Sequence, residues 1–157
     1  MSDKVHFTCP DLNEALSMAP LMREADVLEV AGLGQTPEQA ITQSFYDSDM
    51  VWLAYFEGRP AALIGVGRVS VMGNQGTPWF LTSNVMNEWG AKRALLKYSP
   101  VFIQDFLDNY DILVNYVDAK YTKALTWLKW LGFTIDDNPE PSPITGAMFY
   151  RILKVRP

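Results

Sequence analysis

The sequence predicts an α+β fold in which a central, mostly antiparallel sheet carries helices on both faces. Apolar runs at 50–56, 61–72 and 79–84 are separated by turn residues, a pattern typical of consecutive antiparallel strands. Amphipathic helical segments precede and follow these runs, which indicates helices packed on a sheet. A helical stretch separates the 79–84 strand from the next strand at 112–117, and such a crossover predicts that these two strands are parallel.

Composition places the chain among globular proteins and disfavours several classes of function. The 157 residues are 48% hydrophobic and 20% charged, which fits one domain over 1–157. A net charge of −5 disfavours nucleic acid as a partner, since general binding to it needs a basic surface. With only Cys9 and His6, the chain has too few ligands for a Cys/His zinc site, and we expect no metal. No apolar run reaches the ~20 residues of a membrane span, and the N-terminus lacks a signal-peptide pattern, so we expect a soluble, cytoplasmic protein.

Local signals divide the first 50 residues into a strand and three helical segments. A strand is predicted at 5–8, and Asp11 with Glu14 has the spacing of a capping box at the start of the first helix. A second helical stretch is predicted at 21–33. The sequence Thr-Pro-Glu-Gln at 36–39 predicts a third helix that is well capped and runs to about residue 47.

The second half of the chain alternates helices with single strands. The segments 87–98 and 102–110 have helical character, and we expect Pro100 to interrupt them because proline lacks a backbone donor. The remaining predicted elements are a strand at 112–117, an amphipathic helix at 119–131 that ends at Gly132, and final strands at 133–135 and 147–155.

The segment 117–133, VDAKYTKALTWLKWLGF, resembles the last strand-helix segment of the GCN5-related N-acetyltransferase (GNAT) superfamily. There a strand leads into a helix with an early small residue and a terminal Gly-Phe, and the order of elements matches over almost the whole chain. Three segments also resemble a family of phage-encoded acetyltransferase-like proteins, some relatives of which are described as internal virion proteins of podophages. These segments are 21–30 (LMREADVLEV), 48–67 (SDMVWLAYFEGRPAALIGVG) and 127–133 (WLKWLGF).

The resemblance implies a GNAT-like fold with one splayed parallel strand pair and acetyl-CoA (coenzyme A) as cofactor. In that superfamily the fourth and fifth strands separate, the pantetheine arm lies between them, and the pyrophosphate binds amides at the start of the crossover helix. A helix start suits an anion because its first N–H groups are unpaired and lie at the positive end of the dipole. The positions that the resemblance assigns to the cofactor are Leu81, Thr82, Ser83 and Asn84 at the strand edge, Gly90, Ala91, Lys92 and Arg93 at the helix start, and Ala124 on the last helix.

Two features differ from the pattern of active superfamily members. The phosphate loop of the superfamily has closely spaced glycines, whereas this chain has only Gly90 there, with Glu88 nearby. Many active members carry a tyrosine four residues before the terminal glycine, as the acid for the leaving thiolate. Leu128 stands at that position and cannot donate a proton. The nearest catalytic candidates are therefore Asp118 as the base and Tyr121 as the hydroxyl.

The candidate site residues each have a structural interpretation beside the functional one. Asp118 is either a base or the N-cap of the helix that follows it, and Tyr121 is either a catalytic hydroxyl or a core aromatic residue. The basic residues Lys92, Arg93 and Lys97 form either a phosphate cradle or a solvated helix face.

Two further groups of residues also leave two interpretations open. Arg23, Glu24 and Asp26 either line the acceptor side of the site or pair with one another on the surface. The second group shares one side of the last helix. It is either a partner-binding stripe or a set of tryptophans packed over their neighbours, and it consists of Lys120, Lys123, Trp127 and Trp130.

Two functions follow from the resemblance and its departures. The first is an acetyl-CoA-dependent N-acetyltransferase that modifies an amine of a host or phage protein, located in the host cytoplasm. The alternative is a catalytically degenerate binding protein with the same fold, acting as an internal virion component or a host-interacting module. A homodimer is a further expectation.

Overall fold

The computed structural model describes residues 4–68 and 73–157, and their strands form one mixed sheet. The elements along the chain are β1 (Val5–Thr8), α1 (Leu12–Leu16), α2 (Glu24–Gly32), α3 (Pro37–Asp47), β2 (Ser48–Phe56), β3 (Arg59–Arg68), β4 (Gln75–Thr82), α4 (Trp89–Asn109), β5 (Ile112–Asp118), α5 (Thr122–Trp130), β6 (Thr134–Ile135), β7 (Glu140–Pro141) and β8 (Met148–Val155). The order across the sheet is β1-β2-β3-β4-β5-β8-β6, with β7 paired to β8. The pair β4–β5 is parallel and its neighbours are antiparallel, as the sequence predicts.

A hydrophobic core lies on each face of the sheet. One core contains Ile64, Phe106 and Leu113 and is covered by α4 and α5. The other contains Ile41 and Leu53 and is covered by α1, α2 and α3. Helices on both faces of a mostly antiparallel sheet confirm the predicted fold class.

The predicted capping signals act as expected in α3 and partly in α1. The Gln39 amide donates to Thr36 Oγ1 at 3.2 Å and the Thr36 amide donates to the Gln39 side chain at 3.0 Å, which closes the capping box. At α1, Asp11 accepts the Glu14 amide at 2.8 Å. The Glu14 carboxylate instead accepts hydrogen bonds from the Thr8 and Tyr55 hydroxyls, so α1 has the cap without the full box.

The sheet extends further into the loop region than the sequence predicts. β4 begins at Gln75, inside the stretch expected to be a loop, because Gly76 and Thr77 pair with Arg68 and Gly67 of β3. It ends at Thr82, and Asn84–Asn87 form a 3₁₀ turn instead of continuing the strand. The last part of the predicted 61–72 strand, residues 69–72, lies outside the described residues.

The expected break at Pro100 is absent, and α4 is one continuous helix. An interior proline removes a backbone hydrogen bond and costs about 3 kcal/mol. Here the apolar face of α4 runs through the proline, since Ala91 precedes it and Ile103 and Phe106 follow it in the same core. Burial of large side chains at ~1.5–3 kcal/mol each outweighs the proline penalty.

Two helices begin later than predicted. α2 begins at Glu24 because Ala19–Leu21 form a 3₁₀ turn and Met22 forms an isolated antiparallel bridge with Ser83. α5 begins at Thr122, and the Asp118 carboxylate accepts the Lys120 amide in the preceding turn. The interpretation of Asp118 as the N-cap of a helix starting at residue 119 is therefore wrong.

Gly65 and Gly67 lie inside the apolar run at 61–72, and glycine within a strand pattern predicts a bulge or a close approach to the backbone. The Trp79 indole, opposite in β4, lies directly over Gly65, and a Cβ there would overlap the ring. At Gly67 the added atom would meet the Asp47 carbonyl oxygen at 2.5 Å, beside an irregularity in the β2–β3 register. Both expectations are confirmed.

None of the helices in residues 4–68 and 73–157 combines the length and the apolar character needed to cross a bilayer.

Replacing Gly65 with alanine tests the packing of Trp79 on β3. We expect Gly65→Ala to lower the free energy of unfolding by about 1–3 kcal/mol, because the indole, whose Nε1 donates to Ser48 Oγ at 2.8 Å, must shift. Gly73→Ala is the matched control, since a Cβ there meets no described atom within 4 Å. Urea denaturation of both variants measures the effect, and equal stabilities would contradict this packing.

Candidate functional site

The parallel strands β4 and β5 pair over one short stretch and then separate. Their register contains two pairs, Gln75 with Ile112 and Gly76 with Leu113. Beyond these pairs the strands diverge up to Thr82 and Asp118, and we call this opening the split. The predicted splayed strand pair is thus present.

The β4 side of the split is partly hydrogen-bonded to the chain itself. Alternate residues of a strand direct their backbone groups to opposite neighbours, and the Ser83 amide donates to Ala61 of β3, so Pro78, Phe80 and Thr82 face the split. The Thr82 amide donates to Asp26 Oδ2 at 2.9 Å, and its carbonyl accepts the Arg23 amide at 2.8 Å. The Pro78 carbonyl accepts Asn115 Nδ2 at 2.7 Å. Phe80 lies between them on the same edge and has no register partner in β5.

On the β5 side of the split, two backbone amides also donate hydrogen bonds to side chains. The Tyr116 amide donates to Asn115 Oδ1 at 2.7 Å, so the Asn115 side chain bonds to both strands across the split. At the open end, the Asp118 amide donates to Glu29 Oε2 at 3.1 Å. The free part of the split therefore lies between Asn115 and the residues of α2.

A polar network from the start of α2 closes the open end of the split. Asp26 is buried and also accepts the Thr82 hydroxyl. Arg23 Nη2 donates to the Tyr121 hydroxyl at 2.6 Å, which links α2 to the segment before α5. Burial raises the pKa of Asp26 above its ordinary value, against the lowering effect of the Thr82 hydrogen bonds and of Arg23. Burial, with the charge of Asp26, raises the pKa of Tyr121 to about 12, so its hydroxyl keeps its proton.

Glu29 is the most strongly perturbed carboxyl group at the split. Burial is the largest cause of a pKa of about 8 for Glu29; the hydrogen bond from the Asp118 amide lowers this pKa, and the nearby carboxylates of Asp26 and Asp118 raise it. Near neutral pH the group exchanges a proton easily, which is the property of a general base.

The start of α4 presents free amides beside an ion pair. The described residues give no acceptor to the amides of Trp89, Gly90 and Ala91. Glu88 makes a bidentate pair with Arg59, at 2.6 and 2.9 Å, and does not cap the helix. Its charge is thereby paired with the Arg59 guanidinium, which lessens its repulsion of an anion at the helix start. The Glu88 carboxylate has a lowered pKa because of the Arg59 hydrogen bond.

The sequence-predicted cofactor residues occupy different environments. Leu81 is buried among α1–α3 and pairs with Leu63 of β3, so its backbone does not face the split. The Ser83 hydroxyl donates to the Pro60 carbonyl at 2.7 Å, and Asn84 is exposed at the start of the 3₁₀ turn. Thr82 is the member of this set whose peptide groups lie on the split.

The helix positions also divide into core and surface. A Cβ at Gly90 would meet the Phe56 ring at 2.7 Å, so packing already requires a small residue there. Ala91 is buried in the core, whereas Lys92 and Arg93 are exposed. On α5, Ala124 packs against the core.

The structure tests two of the alternatives left open by the sequence: packed tryptophans on α5 and surface ion pairing at the start of α2. Trp127 contacts Phe80 edge-on, with ring centroids 5.0 Å apart, whereas Trp130 is 58% exposed. The stripe therefore splits into one packed and one exposed tryptophan. Surface pairing among Arg23, Glu24 and Asp26 is wrong, because Arg23 and Asp26 bond to Tyr121 and Thr82 at the split and only Glu24 is exposed.

Sequence reasoning missed Glu29 and Asn115. Both belong to elements that the sequence predicts, but their partners are 89 and 37 residues away along the chain. The residues beside Glu29 in the chain give no consistent signal of its burial, since Leu28 is exposed and Val30 is buried. Without the sheet register, nothing in that pattern identifies Asp118 as its partner.

Comparison with known proteins gives similarity in structure and none in sequence. No protein-family model matches the chain, and no curated protein matches it. Solved structures match over nearly the full length of both chains. A GNAT-family acetyltransferase from Streptococcus pneumoniae has a TM-score of 0.64 at 13% identity, covering 98% of this chain and 99% of that one.

Two further structures give the same result. The ribosomal-protein-S18-alanine N-acetyltransferase of Escherichia coli has a TM-score of 0.65 at 15% identity, with 97% and 94% covered. A Salmonella typhimurium protein, named as an acetyltransferase and solved with its cofactor acetyl-CoA, has a TM-score of 0.68 at 11% identity, with 99% and 95% covered. At such identities the likeness concerns the backbone alone. The chain therefore has the fold of the GCN5-related N-acetyltransferases.

Proposed function

We propose that this chain binds acetyl-CoA at the split and transfers its acetyl group to an amine of a protein. The observation that carries the proposal is the separation of β4 from β5 next to Glu29, a carboxyl group with a pKa of about 8. A split between parallel strands offers unpaired backbone groups, and an adjacent base of this kind suits proton removal from an amine. The structural neighbour that contains acetyl-CoA supports the choice of cofactor.

Residues at both ends of the split fit this cofactor in part. The amides of 89–91 and the exposed Lys92 and Arg93 suit its phosphates, since Glu88 is held by Arg59. Phe80 offers one amide and one carbonyl to the amide groups of its arm. The backbone groups of Thr82, further along the same edge, are already bonded to Arg23 and Asp26.

Acetyl-CoA supplies the acetyl group as a thioester, and the chain supplies the proton transfers. Glu29 Oε1, whose partner oxygen holds the Asp118 amide, accepts a proton from the acceptor ammonium group. Tyr121 keeps its hydroxyl proton at neutral pH and supplies it to the leaving sulfur, since Leu128, at the position of the superfamily's tyrosine, has no proton to donate. Asp118, a base candidate from the sequence, instead holds the Lys120 amide.

The acceptor follows from charge and from the resemblance to phage proteins. The net charge of −5 favours a cationic target such as a lysine side chain or a free amino terminus. A host or phage protein is the acceptor class that we propose, with the host cytoplasm as the location.

A second candidate function is a non-catalytic binding protein with the same fold, in the virion or on a host protein. The observation that favours it is that Asp26, Arg23, Glu29 and Asn115 satisfy strand edges that an arm-binding site would leave open. The single glycine of the phosphate loop agrees with this candidate.

Calorimetric titration with acetyl-CoA separates the two candidates. We expect micromolar binding that weakens at least tenfold in the Lys92→Glu, Arg93→Glu double variant, because two phosphate-facing cations become anions. Lys129→Glu is the control, since this exposed residue lies in the last turn of α5, away from the open end. Absence of binding at millimolar ligand would leave only the binding protein.

Glu29→Gln tests the proton acceptor. With acetyl-CoA and a pool of lysine-containing and free-amino-terminal peptides, we expect kcat to fall at least 100-fold in an assay of thiol release. The wild-type profile of kcat/KM should rise with an apparent pKa near 8, and the variant should lose this limb. Glu24→Gln on the exposed side of α2 serves as the control. A variant with wild-type rates and an unchanged profile would exclude Glu29 as the base.

The same substitution changes how stability depends on pH. Glu29 binds a proton more tightly in the folded chain, with a pKa of about 8 against 4.5 for the free side chain, so folding stability falls as the pH rises between these values. Glutamine does not titrate, and we expect Glu29→Gln to gain stability relative to wild type from pH 5 to pH 8. Urea midpoints across this range measure the difference, and parallel pH curves would show that the Glu29 pKa is not raised.

A further inference from the structure

The open end of the split is closed by a short segment that pairs with the end of β4. Met22 and Ser83 form an isolated antiparallel bridge, and the Arg23 amide donates to the Thr82 carbonyl at 2.8 Å. Asp26 then accepts the Thr82 amide at 2.9 Å, so both peptide groups of Thr82 are bonded on the split side. These bonds are of the kind that an extended arm would form with the same edge.

The contact is formed by residues 22–26 and has an apolar and a polar part. Met22 is buried in the core under α1–α3, whereas the bonds to Thr82 and Tyr121 come from the Arg23 and Asp26 groups. Arg23 Nε is buried and has no acceptor among the described residues. A buried donor without a partner disfavours the closed arrangement, so the contact holds the edge without the best possible bonding.

We propose that residues 22–26 are a latch that closes the split and must release Thr82 before the arm of acetyl-CoA occupies the open end. This proposal rests on the proposed function, because it requires acetyl-CoA to enter the split. A buried strand edge requires hydrogen-bond partners for its backbone groups, and in the latched chain the Thr82 groups have them without a ligand. In the released chain Thr82 and Phe80 together offer a continuous edge to the arm. The apparent affinity is therefore reduced by the fraction of chains that are latched.

Both ends of the latch contact residues that the proposed function assigns to proton transfer. Arg23 bonds to Tyr121 and Asp26 lies close to Glu29, so release of the latch exposes the same groups that would handle protons.

A reversible disulfide across the bridge tests the latch. Bridged antiparallel residues lie at a Cα separation that a disulfide can span, about 4.5–5.5 Å. Met22→Cys with Ser83→Cys, in a Cys9→Ser background that removes the exposed native thiol, locks the latch when oxidised. We expect acetyl-CoA, which has no free thiol, to bind the oxidised form at least tenfold more weakly than the reduced form. Equal affinities in the two forms would overturn the latch and leave acetyl-CoA binding itself intact.

A second variant opens the latch instead of locking it. Asp26→Ala removes the acceptor of the Thr82 amide, and we expect acetyl-CoA to bind at least threefold more tightly, with faster hydrogen exchange at the Thr82 amide in the free protein. Glu24→Ala, an exposed residue in the same turn, is the control. An unchanged or weaker affinity in a folded Asp26→Ala variant would overturn the latch. Failure of wild type, reduced pair and Asp26→Ala alike to bind acetyl-CoA would overturn the proposed function and the latch together.

Discussion

The structure depends on one constraint: strands that separate must still satisfy their backbone hydrogen bonds. β4 and β5 share two register pairs, and beyond them each strand has one edge without a strand partner. An unsatisfied buried N–H or C=O costs about 1–3 kcal/mol, so such an edge needs side chains, water or a ligand. Here Asn115 bonds to both strands near the closed end, and residues of α2 bond to both strands at the open end.

The same constraint explains why carboxyl groups lie at the centre of the fold. The amides of Thr82 and Asp118 need acceptors, and Asp26 and Glu29, three residues apart on α2, supply them. Residues three apart lie on one face of a helix, so a single helix serves both strands. Burial then raises both pKa values, and for Glu29 the result is a group that titrates near neutral pH. The side chain that satisfies the Asp118 amide is therefore also the one that we propose as the base.

The sequence predicts the architecture well and the site poorly, for a physical reason. Strand and helix signals are local, so the order of elements, the capped α3 and the parallel β4–β5 pair follow from the pattern. Pro100 misleads because the apolar face of α4 continues on both sides of it and outweighs a local penalty. The acceptors at the split are set by contacts across 56 and 89 residues, which no local pattern encodes. The resemblance names Thr82 and Tyr121 as candidates, and it gives no indication that Asp26 and Arg23 bond to them.

The central claim is that the split receives the arm of acetyl-CoA along the β4 edge. Its most direct test is a titration of the isotope-labelled protein with acetyl-CoA, followed through the backbone amide resonances. We expect large shifts at Phe80 and Thr82 and at the start of α4, with smaller ones in β1 and β2 at the far side of the sheet. Saturation of the protein without any shift at Phe80 or Thr82, or no shifts at all at millimolar ligand, would contradict the account.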